Sequence, residues 1–263
     1  MSSDHPHRRH LLEALAAIGG LAVSGCDRPA SEPRFRSVLD AASDLTYRVQ
    51  RLLIGANQLA REYSEADISP AFRANGSTDP QDQEYLNLVG NHFADWRLRV
   101  HGLVEHELSF SLEELRALPA RTQITRHDCV EGWSSIGKWT GVPLGEILSR
   151  AGIWPEARFV VFHCADTLDD GGGFGTDPES IRYYESIDLV DAAHPQTILA
   201  YDMNDKPLTV PHGAPLRLRL ERQLGYKMAK YIMRIELVES LAGLHGGRGG
   251  YWEDRGYEWY AGI

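Results

Sequence analysis

Cys129 stands in the run Arg126-His127-Asp128-Cys129-Val130-Glu131-Gly132-Trp133-Ser134, one thiol among charged and aromatic neighbours. A structural zinc site needs about four Cys or His ligands at short spacing. This chain holds three cysteines, Cys26, Cys129 and Cys164, and no CxxC. A single thiolate instead suits a soft or redox-active metal whose other ligands come from an organic cofactor; the alternative for such a residue is a buried core thiol. Further along, Leu216, Leu218 and Leu220 alternate with Arg217, Arg219 and Glu221, and Gly225, Tyr226, Lys227 and Lys230 follow. A strand with that alternation presents its arginines on one face. Guanidinium groups grip phosphate bidentately, lysine adds a point charge, and glycine lets backbone N–H groups approach an anion. Taken alone, the pattern also fits an amphipathic strand with a solvated basic face.

The elements that must position these residues are legible as periodicities. Val38, Leu39, Ala42, Leu45, Val49, Leu52, Leu53, Ala56 and Leu59 recur at three and four, predicting an amphipathic helix from about Ser37 to Glu62. Trp96, Leu98 and Val100 alternate as a strand ending at Gly102, and Phe159 to Phe162 reads as a buried strand with Cys164 near its end. Ser111 and Glu114 form a capping box for a short helix stopped by Pro119; Pro143 to Ala151 predicts another, closed by Gly152. Lys230 to Val238 reads as a strand, and Asp169 to Pro178, with three consecutive glycines, as a loop. Trp252, Tyr257, Trp259 and Tyr260 make the tail from Gly246 too apolar to hang free, so it is expected to fold back onto the domain.

The segment from Cys129 to Leu148, with Trp133, Trp139-Thr140-Gly141 and Pro143-Leu144, resembles the cysteine segment of the sulfite oxidase family of molybdopterin oxidoreductases, in its periplasmic bacterial branch. His212-Gly213-Ala214-Pro215-Leu216-Arg217, with Gly225-Tyr226-Lys227 and Lys230, resembles that family's pterin-phosphate segment, in the same order along the chain. The resemblance covers Asp67 to Ser240. It implies an α+β fold, with curved mixed β-sheets and peripheral helices around one Mo-molybdopterin per chain. Cys129 would bind molybdenum, and His212, Arg217, Gly225, Tyr226, Lys227 and Lys230 would contact the cofactor. Cys164 lies thirty-five residues beyond Cys129, where the bacterial branch has a cofactor-contacting residue; a core thiol is its other reading. Asn75 is the match for an asparagine near the cofactor, with Asn91 competing. Tyr183, with Tyr184 as rival, falls where sulfite oxidases carry an active-site tyrosine able to hydrogen-bond an oxo group or pass a proton.

Arg8-Arg9 precede an apolar stretch from Leu11 to Val23, and Val23-Ser24-Gly25-Cys26 resembles a bacterial lipobox. Twin arginines suit the Tat route, which exports folded proteins, as a cofactor inserted in the cytoplasm would require. The expected organisation is a signal peptide over 1–26, a tether over 27–36, an N-terminal amphipathic helix over 37–66 and a molybdopterin-binding oxidoreductase domain over 67–263. The expected location is periplasmic, with a lipid anchor to the inner membrane at Cys26. The net charge of −10 disfavours nucleic acid and suits a basic electron carrier. No CxxCH for an attached haem is present, so electrons are expected to pass to or from a cytochrome or a membrane quinone-linked subunit.

The implied reaction is two-electron oxygen-atom transfer, either S-oxide or N-oxide reduction or sulfite-type oxidation. Sulfite oxidation wants cations around a dianion, for which Arg73, Arg121, Arg126 and Lys138 are candidates. Reduction of an S-oxide, such as a methionine sulfoxide side chain, needs a wider and less charged mouth. The missing haem and dimerisation domains of animal sulfite oxidases favour the reductase side. Two readings of other classes stand beside it. One is a hydrolase with Cys129 as nucleophile and His127 or His163 as base, though no Gly-x-Ser-x-Gly is present. The other is a cofactor-free lipoprotein that binds a partner.

Overall fold

The computed structural model of the chain describes residues 41–263 apart from 43–44, 53–54, 56 and 169–181. The expected signal peptide, tether and glycine loop lie outside the described residues. Two units are distinguished, Met1–Leu53 and Ile54–Ile263. In the first, residues 41–42 and 45–52 are helical. The helix expected to reach residue 62, within a segment drawn as 37–66, ends sooner. The backbone beyond it is claimed by sheet pairing: the Tyr63 N–H donates to the Ile124 carbonyl at 2.9 Å and Glu62 bridges to Thr125. Hydrophobic spacing carries no signal of that competition.

The second unit has ten strands among the described residues. In chain order they are β1 (Arg97–Gly102), β2 (Leu108–Ser111), β3 (Arg121–Asp128), β4 (Ser134–Pro143), β5 (Phe159–Thr167), β6 (Arg182–Asp188), β7 (Ile198–Met203), β8 (Lys206–Pro207), β9 (Arg217–Arg219) and β10 (Ile232–Val238). The helices of this unit are α1 (Gln83–Gly90), α2 (Leu112–Arg116), α3 (Leu144–Ala151) and α4 (Leu189–Ala192). One sheet has the order β2-β1-β10-β5-β6; the other runs β3-β4-β7-β8, with β9 added to β7. Only the β1/β10 pairing is parallel among the named strands. Mixed sheets with short peripheral helices are the α+β class expected.

Alternation does the work in β1: Leu98 and Val100 are buried while Arg97 and Arg99 face out. The inward residues join Val160, Phe162, Ile235 and Leu237 in the main core, covered by Leu144, Ile147, Leu148 and Ala151 of α3. The Ser111/Glu114 capping box opens α2, and Gly152 at φ 68° closes α3. The aromatic tail does pack back, burying Tyr251 and Glu253 and setting Trp259 edge-on to Phe159 at 5.5 Å. No helix among the described residues is long and apolar enough to cross a membrane.

Strand β4 approaches β7 at Gly141, where a Cβ would overlap the Leu199 carbonyl and the Ala200 Cα. Gly145 in α3 has only ordinary van der Waals neighbours at 3.8 Å. Gly141→Ala is therefore predicted to cost about 3 kcal/mol by overpacking between backbones. Gly145→Ala should instead stabilise by up to about 1 kcal/mol through helix propensity. Urea unfolding midpoints of the two variants should move in opposite directions; equal midpoints would contradict the packing described.

Candidate active site

Cys129 is presented by the tight turn joining β3 to β4. Its N–H donates to the Trp133 carbonyl at 2.9 Å and its carbonyl accepts from Gly132 at 3.0 Å. Gly132 takes φ 84°, a conformation that side chains with a Cβ resist. The turn delivers the thiol to a cavity of about 160 Å³, bordered also by Asn75, Asp166, Tyr183, Arg217, Gly225, Tyr226 and Lys230. Asn75 Nδ2 lies 3.8 Å from Cys129 Sγ. Burial pushes the thiol's pKa up, partly offset by the Glu131 backbone N–H.

The strand of alternating arginines is β9, and neither arginine is solvated: Arg217 is 2 % and Arg219 0 % exposed. Both guanidinium groups lie over the Trp139 ring, at 4.9 and 4.3 Å from its centre, a favourable contact when desolvated. Arg219 is fully engaged, with two bonds to Glu221 at 2.9 and 2.7 Å and one to His127 Nδ1 at 3.1 Å. Arg217 is not. It donates to the His212 carbonyl at 2.9 Å, and its Nε is buried without an acceptor. Burial, and then the charge of Arg219, pulls its pKa down to about 9. Burial also drives Lys230 down, with Arg217 adding to the effect. The Lys230 ammonium is held by the carbonyls of Asn75 at 2.8 Å and Pro211 at 3.0 Å, and by that of Ser77, so it fastens the Asn75 loop to the cavity wall.

His127 adds another unmet donor. Burial, followed by Arg219, pushes its pKa well down, so the ring is neutral. Because Nδ1 accepts from Arg219, the proton belongs on Nε2, which is buried without a partner. A Cβ at Gly225 would collide with this imidazole, so only glycine lets the chain pass there. The thiol is therefore bordered by two buried cations, Arg217 with an unmet Nε–H and Lys230, and by one buried acid, Asp166, whose Oδ1 is also unmet, while His127 lies behind Gly225. A phosphate-bearing, metal-binding organic cofactor fits that donor set, and molybdopterin is such a group.

The structure sorts the remaining sequence candidates. Tyr183 borders the cavity, with its phenol donating to the Tyr226 carbonyl. Tyr184 points elsewhere, donating to Asp254 and stacking on His245 at 4.1 Å. Lys227, expected on the phosphate, does not border the cavity. Its ammonium is fully buried between Glu185 and Glu253, at 2.5 and 2.6 Å, because two buried carboxylates hold it more firmly than an open cavity can. His212 Nε2 donates to the Phe72 carbonyl at 3.1 Å and its Nδ1 accepts from Thr209 Oγ1 at 2.8 Å, so its contribution beside the cavity is the carbonyl that fixes Arg217. Cys164 is buried on the border of a neighbouring cavity. Asn91, the rival of Asn75, bonds Asp95 at 2.7 Å. Sequence reading missed Asp166, visible only as the polar end of an apolar run, and Trp139 and His127 as supports of the arginines. It also offered His127 and His163 as bases for a nucleophilic Cys129. Neither meets the sulfur, since His127 Nε2 is unpartnered and His163 bonds Glu236 and Arg234; that hydrolase geometry is not formed.

If Arg217 serves an anion, Arg217→Gln should have two effects of opposite sign. Thermal stability of the cofactor-free protein should be unchanged or higher, because an uncompensated buried charge is removed. Pterin retained through purification should fall by about tenfold or more. A variant that retains wild-type pterin, or whose cofactor-free form melts well below the wild type, would contradict this role.

Residues 87–243 match the model of the oxidoreductase molybdopterin-binding domain, a span that includes Cys129 and the basic residues of the cavity. The chain is 38% identical over 258 residues to the putative protein-methionine-sulfoxide reductase subunit YedZ1 of Azospira oryzae, covering 98% of this chain and 88% of that protein. It is 34% identical over 241 residues to the protein-methionine-sulfoxide reductase catalytic subunit MsrP of Xanthomonas campestris, covering 89% of this chain and 70% of that one. The sulfane dehydrogenase SoxCD of Paracoccus pantotrophus overlays 56% of this chain and 39% of its own, with 24% identity and a TM-score of 0.47. With the family model spanning more than half its length, the chain belongs to the molybdopterin-binding oxidoreductases of the sulfite oxidase family and is a molybdenum-dependent enzyme of that family.

Proposed function

We propose that this enzyme reduces methionine sulfoxide side chains, with Cys129 as the protein ligand of one Mo-molybdopterin per chain. The observation that carries the reading is the state of the cations around the Cys129 segment. Arg73 pairs with Glu131 at 3.7 Å, Arg126 with Asp128 at 2.9 Å, Arg121 with Glu62, and Lys138 with Glu65 and Asp205 at 2.6 and 2.9 Å. Each candidate for attracting sulfite is already matched by a carboxylate, and Glu131 itself borders the cavity. Apart from Arg217 and Lys230, which this reading assigns to the cofactor, a dianion would meet neutralised or negative surface there. Val130, Trp252 and Tyr257, which also border it, suit the apolar thioether end of a neutral sulfoxide.

The reaction consumes one sulfoxide, two electrons and two protons and yields a thioether and water. The cofactor, when bound, supplies the two-electron oxygen-atom chemistry. Arg217 and Lys230 would hold its phosphate, and Cys129, with Asn75 Nδ2 3.8 Å from its sulfur, would hold the metal. Asp166 borders the same cavity; burial raises its carboxyl against the opposing charge of Lys230, which makes it the candidate to carry a proton. Tyr183, whose own proton is committed to Tyr226, orients the wall behind it. Arg8-Arg9 and the Val23-Ser24-Gly25-Cys26 run support Tat export to the periplasm and a lipid anchor. The charge of −10 supports a separate electron donor, a basic cytochrome or a membrane quinone-linked subunit.

With a peptide carrying methionine sulfoxide and a reduced viologen dye as donor, the wild-type enzyme should turn over. Cys129→Ser should lose more than about a hundredfold in rate, with an unchanged melting curve by circular dichroism. A fully active serine variant removes the ligand assignment. Rapid sulfite-dependent reduction of a cytochrome would reverse the proposed direction and substrate.

A further inference from the structure

A second cavity, of about 370 Å³, is bordered by the outward row of the five-stranded sheet containing β1 and β6. Arg99, Arg234, His163 and Tyr184 are direct cross-strand partners on β1, β10, β5 and β6, and all four border it. Like charges directly opposite on neighbouring strands repel. Here Arg99 faces Arg234, and neither guanidinium bonds a carboxylate among the described residues. Arg234 reaches only His163 Nδ1, at 3.1 Å, while its Nε is buried without an acceptor. His163 is turned by Glu236, 2.8 Å from its Nε2, so that Nδ1 is the accepting nitrogen. Trp96 borders the same cavity at 1 % exposure, and its indole N–H has no acceptor either.

Acids are present on the border too. Asp82 is paired with Arg182 at 2.6 Å; Asp95, bonded only by the neutral Asn91 amide at 2.7 Å, keeps its charge, as does Glu84. The unmet groups of the row are therefore donors, and an arginine pair without carboxylates is unexpected in a chain whose net charge is −10. We infer that this cavity binds a small organic anion through a phosphate or carboxylate group seated between Arg99 and Arg234. Two guanidinium forks meet such a group bidentately, and the cost of their opposition is offset when it is bound. The volume exceeds that of the anionic group alone and leaves Leu88, Trp96 and Met233 to take an organic body. Neither Arg217 nor Lys230 borders this cavity; Tyr183 borders both it and the cavity at Cys129, so the two are neighbours with different cations in their walls.

Calorimetric titration of the cofactor-loaded enzyme with inorganic phosphate and with succinate, at fixed ionic strength, tests the assignment. At least one probe should give a single saturable site. Arg99→Gln and Arg234→Gln should each weaken Kd by about tenfold or more. Arg150→Gln, which removes the same charge from a surface pair with Glu146, should leave Kd unchanged. Arg99 is exposed, so its variant folds even if Arg234→Gln does not. Saturation by phosphate alone or succinate alone identifies the anionic group. Absence of saturable binding for both probes, affinity indifferent to Arg99→Gln, or affinity changed as much by Arg150→Gln as by Arg99→Gln overturns the proposal.

Discussion

Arg217 and Lys230 are held out of water with fewer carboxylates than their charge requires, and the elements around them are arranged to bear that condition. Desolvating such a group costs several kcal/mol unless it is paired and hydrogen-bonded. Arg219, Glu221 and Trp139 form a rigid backing, Arg219 being saturated by Glu221 and His127. Against this backing Arg217 keeps an unpartnered Nε, and Lys230 is satisfied only by neutral carbonyls. A bound anion would complete the set. The same lysine fastens the loop carrying Asn75 beside Cys129, so the thiol's neighbour and the buried cations are joined through one side chain.

A second buried charge cluster shapes the opening. Lys227 sits between Glu185 of β6 and Glu253 of the tail, all three out of contact with solvent. Burial, and then the nearness of Glu253, pushes the Glu185 carboxyl well up. By tying the tail to the turn that carries Gly225 and Tyr226, this cluster brings Trp252 and Tyr257 to the border of the cavity. Tyr257 packs edge-on to Tyr226 and stacks with Trp252, each at 5.2 Å. The apolar mouth on which the sulfoxide reading rests is thus made by a segment lying beyond the matched family domain.

Much of this was legible in the chain because local rules apply locally. Leu98 and Val100 alternate with arginines because one face of β1 is core, and Ser111 with Glu114 caps α2 because those two side chains meet the backbone they predict. The segments of Cys129 and Arg217, in that order, carried the family resemblance that implied the cofactor. Periodicity does not say what the polar side of an element will meet. It left open whether Arg217 and Arg219 were solvated, when both are buried; it placed Lys227 on the phosphate, when two carboxylates distant in sequence hold it. It ran the N-terminal helix on to residue 62, into backbone that pairs with β3. Asp166 drew no notice as a site residue because a single acid at a strand end has no local pattern.

The central claim is that the unmatched buried cations and the lone thiol exist to hold one molybdopterin. Metal and pterin analysis of natively exported, folded protein tests it most directly, with molybdenum read by plasma mass spectrometry and pterin by fluorescence after acid oxidation. The account predicts near-equimolar molybdenum, pterin and chain. Folded, natively exported protein containing neither would contradict it.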